Sequence, residues 1–592
     1  MNLIIPSRHK PTNDSFPTAP RKVRQWLAEL YPVTSANSTR VLLRGLKHCN
    51  RLENTPKHRL EILDQFRPVV EELIHNAVSQ YVGHNLPLSN REQNSFSLVI
   101  TLLQELAFGY KIIVADSETA TNAPAGKVRN PALYYAMEAV HELALRHLQV
   151  YQDIPAEVWQ DCNALYAIAE RLGVSRRDIA ADLRLPDHVS SIEQWFIATH
   201  LLKLSDAHSL RRGQIFLLKD FIARHIEQTY LFDPANEPSD GKLLKAVDIS
   251  GKAACDQLRF MDTANRQSLR AINLDHFVTT LEAEISNSPG SVSALYEADV
   301  LTSESLKRLH KSLQPNHRRA SARAFYHQKT DVLHGLKEIY ASFRYADVPV
   351  SPASAPAEEL KLSVEGGLPS KQNRNGDFIT HPARDNRSNA DPWSGNKTTL
   401  ADADDFSAAL AASSVPAQRG EWLMMNQSEG GVALQWAGIG SPHVSVGELM
   451  AVLVRQPGKN EKQWMMGTIT WLRVSAEQTM QCGLTHLATH ARPVLVERTK
   501  GSHNSITTQT EALLARPVAE PDECCLILPA YMFHNGELVH IRGEQEVEHY
   551  RLTDKLESTG SFALFAAQLT GTSKTKAALS KDALADFGLD QS

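Results

Sequence analysis

The sequence has few cysteines and no strong excess of charge of one sign. Its six cysteines in 592 residues are scattered and form no Cys-x-x-Cys pair. This argues against a disulfide framework or a zinc ribbon and favours a reducing cytoplasm. The formal net charge of −5 is mild for this length and argues against a dedicated nucleic-acid-binding protein. We therefore expect no bound metal and no nucleic-acid partner.

Long apolar runs and catalytic motifs are also lacking. The N-terminal run NLIIP is too short for a signal peptide. The most apolar long stretch, 96–114, is interrupted by Gln104, Glu105 and Lys111, so we expect no membrane span. No Walker loop, dinucleotide glycine fingerprint or nucleophile motif is present. The sequence predicts a cytoplasmic protein that is not an enzyme and holds no cofactor.

The first half of the chain has a helical pattern. Its length predicts about three or four domains, of which residues 1–20 form a flexible arm and 21–310 a mainly helical domain. Thr55-Pro56 is typical of a helix start, and the helix that follows should end at Gly83 and bend or split at Pro68. Ser89 with Glu92 forms a capping-box pattern that opens the next helix.

The helical domain has two interpretations. Trp159 followed by Leu165-Tyr166 resembles one helix of a tetratricopeptide-type pair, but no repeat recurs at a constant period. A repeat-like domain would offer a groove for a peptide or partner helix, whereas an ordinary helical bundle need not. Between 230 and 263 the pattern loosens, and 243–247 and 257–261 are candidate short strands.

The stretch EWLMMNQSEGGVALQW at 421–436 has a different pattern. Two short apolar runs flank a polar turn with a glycine pair, which predicts strand, turn, strand. The turn contains Asn426, Ser428 and Gly431 in an Asn-x-Ser-x-x-Gly pattern. Asn426 and Ser428 are two residues apart, so in an extended strand both side chains point to one face.

A second stretch, PNHRRASARAFY at 315–326, carries Arg319 and Arg323 in an Arg-x-x-x-Arg pattern. After the turn come the strand-like WMMGTITWLR at 464–473 and then Gly483-Leu484. In this order the stretches resemble the signature of PilZ domains, bacterial receptors for cyclic di-GMP. The resemblance implies a PilZ-type β-barrel at 315–500, so the fold class we expect is multidomain α + β, with an all-α helical bundle or repeat-like N-terminal domain.

The resemblance also implies a ligand and its site. Cyclic di-GMP would be bound by Arg319, Arg323, Asn426, Ser428 and Gly431, with Arg318 a weaker candidate for a phosphate contact. An arginine guanidinium can bond the O6 and N7 edge of guanine, stack on its plane or clamp a phosphate. The implied function is an effector that relays the level of this second messenger to a protein partner, with motility, pilus or biofilm as the output.

The sequence departs from the family pattern between the two halves of the signature. Residues 346–404 are rich in Pro, Ser, Asn and Gly with almost no periodic apolar residues, which predicts a disordered insertion within the barrel. After the barrel, 509–575 is punctuated like several short strands and predicts a small β module. Residues 576–592 should form a flexible tail.

Four other interpretations stay open. Arg319 and Arg323 could lie on one face of a basic helix that starts at Lys307. The 307–329 basic run could bind nucleic acid or a membrane surface, with steep salt dependence. The barrel could be a nucleotide-blind PilZ-like scaffold that acts through the helical domain. A metal site could also be formed by Cys482, His486 and His490, which are spaced four apart.

Overall fold

The computed structural model describes most of the chain and leaves several segments aside. The described residues are 3–31, 33, 36–119, 126–185, 189–235, 245–257, 261, 267–287, 301, 303–314, 324–344, 421–455, 462–498, 509–518, 520, 522–543 and 546–574. The predicted insertion at 346–404 and the predicted tail at 576–592 lie outside them.

The helices within these residues are α1 Pro20–Leu30, α2 Ala36–Arg51, α3 Pro56–Val78, α4 Asn90–Thr119, α5 Gly126–Gln149, α6 Ala156–Arg171, α7 Ile179–Leu183, α8 Ile192–Leu204, α9 Gln214–His225, α10 Asp275–Asn287, α11 Ser303–Leu313 and α12 Leu336–Arg344. The strands are β1 Tyr230–Phe232, β2 Lys245–Asp248, β3 Asp256–Gln257, β4 Leu269–Asn273, β5 Ala324–Thr330, β6 Val332–His334, β7 Trp422–Ser428, β8 Gly431–Trp436, β9 Leu449–Arg455, β10 Lys462–Val474, β11 Met480–Arg498, β12 Gln509–Pro517, β13 Cys525–Pro529, β14 Leu538–Arg542, β15 Glu546–Ser558 and β16 Phe562–Lys574.

The helix starts follow local capping chemistry. The His58 N–H donates to Thr55 Oγ1 at 3.3 Å, and Pro56 begins α3. At the start of α4 the Ser89 N–H donates to Glu92 Oε2 at 2.7 Å, which is the capping box. α3 continues through Pro68 and ends at Val78, so the predicted split does not occur and the helix stops before Gly83.

α5 is the central helix of the N-terminal half and is buried over most of its length. It packs against α4, α6 and α8. α4 is long and apolar enough to cross a membrane by length and composition, but 67% of that window is buried inside the fold. Its apolar surface is therefore explained by packing between α3 and α5.

The N-terminal segment differs from the expectation of a flexible arm. Arg8 makes a bidentate ion pair with Asp116, with both N–O distances 2.7 Å. Farther along, the ring of Phe16 packs edge-on against Trp26, and its centroid lies 6.3 Å from that of the Phe66 ring on α3. Pairing and aromatic burial of this kind are set by residues distant in sequence, which is why local composition does not reveal them.

A small antiparallel sheet follows the helices, with strand order β1-β4-β2-β3. β2 and β3 overlap the two short strands expected between 243 and 261. The sheet is tied to α6 by Asn163, whose Nδ2 donates to the carbonyls of Gly251 and Ala253 at 3.1 Å each.

The remaining strands form two barrels that share β11. In the first barrel β7, β8, β11, β10 and β9 are successive neighbours, and the segment 324–334 closes the ring because β5 pairs with β7 and β6 pairs with β9. In the second barrel β12, β13, β16, β15 and β14 are successive neighbours, and both β12 and β14 pair with the later half of β11. The C-terminal part is thus a closed ring built on a strand of the first barrel, where the sequence suggested a small β module.

The apolar core of the helices continues into the first barrel, where it includes Trp422, Leu434 and Ile469. The second barrel has its own core, around Val496, Leu526 and Phe565. A large shared apolar core resists relative movement of the parts that it joins. The helices and the first barrel are therefore one packed body.

Candidate functional site

The Asn-x-Ser-x-x-Gly pattern lies on a β-hairpin of the first barrel, as the alternating apolar runs predict. β7 and β8 are its two strands, and Glu429 and Gly430 form the turn. At the far end of the hairpin Trp422 lies opposite Trp436, with their ring centroids 5.1 Å apart in an edge-to-face arrangement. The two indoles fix this end in the core, while the motif end meets solvent.

Asn426 and Ser428 share the outer face of this hairpin. Asn426 lies opposite Ala433 and Ser428 opposite Gly431, whereas Gln427 between them lies opposite the buried Val432. Both side chains are half-buried. The Ser428 hydroxyl donates to the Gly431 carbonyl at 3.2 Å, a bond that a ligand acceptor can replace, since a hydroxyl rotates to suit its partner.

Gly431 is required by packing against the neighbouring strand. A Cβ at this position would lie 2.2 Å from the Leu484 carbonyl oxygen on β11. The backbone of Gly431 does not occupy the left-handed region. The glycine therefore permits close approach of two backbones, and its motif position coincides with that approach.

The arginine half of the signature lies outside the described residues, since Arg318, Arg319 and Arg323 precede the start of β5. The residue after Arg323 is Ala324, which pairs with Gln427, and Phe325 pairs with Asn426. The chain that leaves the arginines thus enters the sheet directly beside the motif. β5 and β7 are thus neighbours in the sheet, although they are far apart in sequence.

The alternative of a single basic helix does not match the described elements. α11 contains Lys307, Arg308 and Lys311 but ends at Leu313. Lys329 belongs to β5. The basic residues of 307–329 that the structure describes are therefore divided between a helix and a strand.

Cys482, His486 and His490 all lie on β11. Residues four apart on a strand are separated by roughly 13 Å, so the three cannot share one metal ion. Cys482 faces the core, where burial raises the pKa of its thiol. His486 lies beside the turn, with its Nδ1 3.0 Å from the Glu429 carbonyl oxygen. Burial lowers the pKa of this histidine. Its role in the structure is to hold the turn against β11.

Cavities of the described residues lie away from the motif end of the hairpin. A groove of about 630 Å³ is formed by α3, α4, α5 and α9. A cleft of about 620 Å³ lies between the 85–92 segment and the 436–443 segment of the first barrel. The groove has an apolar floor formed by Ile74, Val78, Val82, Leu103, Leu106 and Ala139.

Charged residues on the groove rim are paired within the helical domain. Arg67 contacts Glu138 at 2.7 Å, and Glu142 contacts both Arg146 and Lys219 at 2.5 Å. Burial alone would raise the pKa of Glu142, but Arg146 and Lys219 lower it to about 2. The rim is thus ionised and internally compensated, and the groove presents mainly apolar surface.

The helical domain contacts the first barrel beside the cleft. The Ser441 hydroxyl donates to the Leu86 carbonyl at 2.6 Å, and Asn85 Nδ2 lies 2.6 Å from His443 Nδ1. Arg212 donates to the Val444 carbonyl at 2.9 Å. These contacts connect the segment that follows α3, and the residues just before α9, to the segment that follows β8.

Three family models match the chain in consecutive order. They are described as "Cyclic-di-GMP receptor FimW, N-terminal domain" over residues 21–235, "Cyclic-di-GMP receptor FimW, middle PilZ domain" over 252–493 and "FimW C-terminal beta-barrel domain" over 512–569. The middle match contains both barrel strands that carry the motif and the segment with the arginines. The PilZ resemblance is confirmed, and none of the three descriptions names an enzyme.

The chain is similar along its length to the cyclic-di-GMP receptor FimW of Pseudomonas aeruginosa. The two sequences are 22% identical over 595 residues, which covers 95% of this chain and 93% of the relative. No solved structure matches the chain.

Proposed function

We infer that this chain, which belongs to the PilZ-domain family of the cyclic-di-GMP receptor FimW, binds cyclic di-GMP on its first barrel and relays the bound state to a protein partner. The observation that carries this proposal is the pairing of Ala324 with Gln427 and of Phe325 with Asn426. It supports a site in which the chain with the arginines meets the Asn-x-Ser-x-x-Gly turn.

We assign the base and phosphate contacts to both halves of the signature. Arg319 and Arg323, with Arg318 as a weaker contributor, would clamp phosphates or bond the O6 and N7 edge of guanine. Asn426 and Ser428 would bond the base edges from the sheet face, because an amide and a hydroxyl can each donate and accept. Gly431 would keep the turn close to β11 and so hold both side chains in place.

Contacts through β8 offer a route from this site to the helical domain. β8 begins at Gly431, and the segment that follows it contacts Asn85 and Leu86. Asn85 and Leu86 in turn follow closely after Val82, which lines the groove. A ligand that binds one arrangement of the turn more tightly would favour the conformation of the groove that accompanies this arrangement. The shared core would stay packed throughout.

The groove is our candidate for the partner contact. Its apolar floor and internally paired rim suit the apolar side chains of an amphipathic partner helix. By family resemblance the regulated process is motility, pilus function or biofilm formation. We place the effector in the cytoplasm and give it no catalytic role, in keeping with the absence of catalytic motifs from the sequence.

Calorimetric titration with cyclic di-GMP tests the binding proposal, with wild type beside an Arg319→Ala/Arg323→Ala variant. We expect saturable binding to wild type and at least about 100-fold weaker binding to the variant, since each charge-assisted contact contributes roughly 1.5–3 kcal/mol. Circular dichroism would verify that the variant is folded.

Absence of binding to folded wild type, repeated at a second temperature because the heat can vanish at one, would overturn the sensor proposal. It would favour the nucleotide-blind scaffold instead. Binding that is unchanged in the double variant would remove the arginines from the site. Steep salt dependence of binding to DNA or anionic vesicles would favour the basic-run alternative.

A further inference from the structure

Phe325 is unusually exposed for an aromatic residue on a strand. The residue is 80% accessible, although a phenylalanine that contributes to a core buries most of its surface. It lies on β5 directly opposite Asn426. Packing within the described residues therefore gives no reason for an aromatic side chain here.

The register of the sheet places Phe325 at one end of a row that crosses five strands. Phe325 lies opposite Asn426, Asn426 opposite Ala433, Ala433 opposite Gly483 and Gly483 opposite Trp471. Directly opposed residues of antiparallel strands project from the same face. All five positions therefore belong to the outer face that carries the motif.

The side chains in the middle of this row are small and rise little above the sheet. Ala433 has only a methyl group, and Gly483 has no side chain because the Trp471 ring occupies that space, with Nε1 1.9 Å from where a Cβ would be. Neighbouring strands are about 4.8 Å apart, so the Phe325 ring stands beside a shallow floor roughly two strand spacings wide. A flat ligand that lies over Asn426 would contact the ring of Phe325, which stands at the β5 edge of this floor.

We propose that Phe325 is a further ligand-binding residue, whose ring stacks on a guanine base of bound cyclic di-GMP while Asn426 bonds the edge of that base. This inference rests on the proposed function, since it names another contact of the same ligand. An aromatic ring supplies stacking that any base can accept, and an amide supplies the hydrogen bonds that select one base edge. The two neighbours thus divide affinity and selectivity between them.

Substitutions at Phe325 separate stacking from simple apolar cover. Loss of one stacked base weakens binding by roughly 5- to 150-fold. We expect this loss for Phe325→Ala and a similar loss for Phe325→Leu, which keeps apolar bulk without a π face. Phe325→Trp should bind within a few-fold of wild type. Leu569→Ala, which removes another exposed apolar side chain on β16 of the second barrel, should bind like wild type.

A selectivity measurement tests the division of roles. Titrations with cyclic di-AMP alongside cyclic di-GMP should show the same preference ratio in wild type and Phe325→Ala, but a reduced ratio in Asn426→Ala. Thermal unfolding should be nearly unchanged in every Phe325 variant, because the side chain is exposed.

The outcomes separate this inference from the function on which it rests. Wild-type binding with unchanged affinity in Phe325→Ala would overturn the stacking role alone. Wild-type affinity in Phe325→Leu would show an apolar cover and also overturn it. Wild type that does not bind cyclic di-GMP would overturn both proposals together.

Discussion

β11 runs through both barrels, and its two halves are packed in different ways. In the first barrel the earlier half carries Gly483 beneath the Trp471 ring, and the backbone of Leu484 lies against Gly431. In the second barrel the later half contributes Val494 and Val496 to a core of interlocking apolar side chains. The earlier half of β11 is thus marked by close approach at glycines, and the later half by apolar side chains that fill the interior of the second barrel.

The outer surfaces of the two barrels also differ. The second barrel carries Arg–Glu pairs on its exterior, such as Arg492 with Glu548 at 2.7 Å and Arg542 with Glu497 at 3.3 Å. The first barrel has a low outer floor next to Asn426 and a half-buried acid, Glu448, near Arg212 of the helical domain. A sheet that binds a ligand leaves one face free of bulky side chains. A sheet with a purely structural role can pair its surface charges with one another.

The largest effect should come from breaking the core of the second barrel. Phe565→Ala removes a fully buried ring and should cost about 3–5 kcal/mol. None of the eight tryptophans lies beyond Trp471, so tryptophan fluorescence does not sense the second barrel directly. Because β11 is shared, we expect the urea midpoint followed by fluorescence to fall.

The matched control is Leu556→Ala, which removes a half-exposed side chain on β15 of the same barrel and should leave that midpoint unchanged. An unaltered fluorescence midpoint in Phe565→Ala, with an earlier separate transition in circular dichroism, would show that the barrels unfold independently.

An intermediate effect should distinguish the two kinds of strand glycine. In Gly431→Ala the new Cβ would meet the Leu484 carbonyl oxygen, and we expect a loss of about 1–3 kcal/mol in the free energy of unfolding. At Gly571 on β16 a Cβ meets nothing within 4 Å. Gly571→Ala should be neutral or stabilising by up to about 1 kcal/mol. Equal losses in both variants by urea unfolding would contradict the packing difference.

The smallest effect should be the response of Glu448 to pH. Burial raises its pKa, against the lowering effects of the Ser445 N–H, His334 and Arg212. A carboxyl with a raised folded-state pKa contributes stability below its unfolded pKa near 4.3 and loses it as pH rises through the folded value. Glu448→Gln should therefore gain stability relative to wild type between pH 4 and pH 7, by less than about 1 kcal/mol.

Glu548→Gln provides the contrast for that measurement. It breaks an exposed ion pair with Arg492, so it should lose between 0 and about 1 kcal/mol at neutral pH. Urea unfolding at several pH values would compare the two variants. A loss of stability in both at pH 7 would show that Glu448 is held as favourably as a surface ion pair.

Much of the fold could be read from local pattern. The start of α3 at Pro56, the capping box at Ser89 and the hairpin around Gly431 each depend on a few adjacent residues, so short-range chemistry determines them. The packing of Phe16 beside Phe66 and the double use of β11 depend on partners far away in sequence. No local period encodes such partners, and these features were not predicted.

The same limit applies to the candidate site. Asn426, Ser428 and Gly431 form a recognisable spacing, whereas Phe325 has no signal of its own beyond a position two residues after Arg323. Its exposure and its register against Asn426 exist only once β5 pairs with β7. A residue that acts through cross-strand placement becomes visible when the sheet is known.

The shared strand has a consequence for cutting the chain apart. A fragment that ends after β11 would leave Val494 and Val496 without their second-barrel neighbours, and the open edge would invite association with other chains. A fragment that begins at β12 would lack the strand on which its ring closes. The two barrels are thus distinct in shape, but the chain has no point at which they can be cut apart. Exchange or deletion of either barrel would have to allow for a boundary that lies within β11.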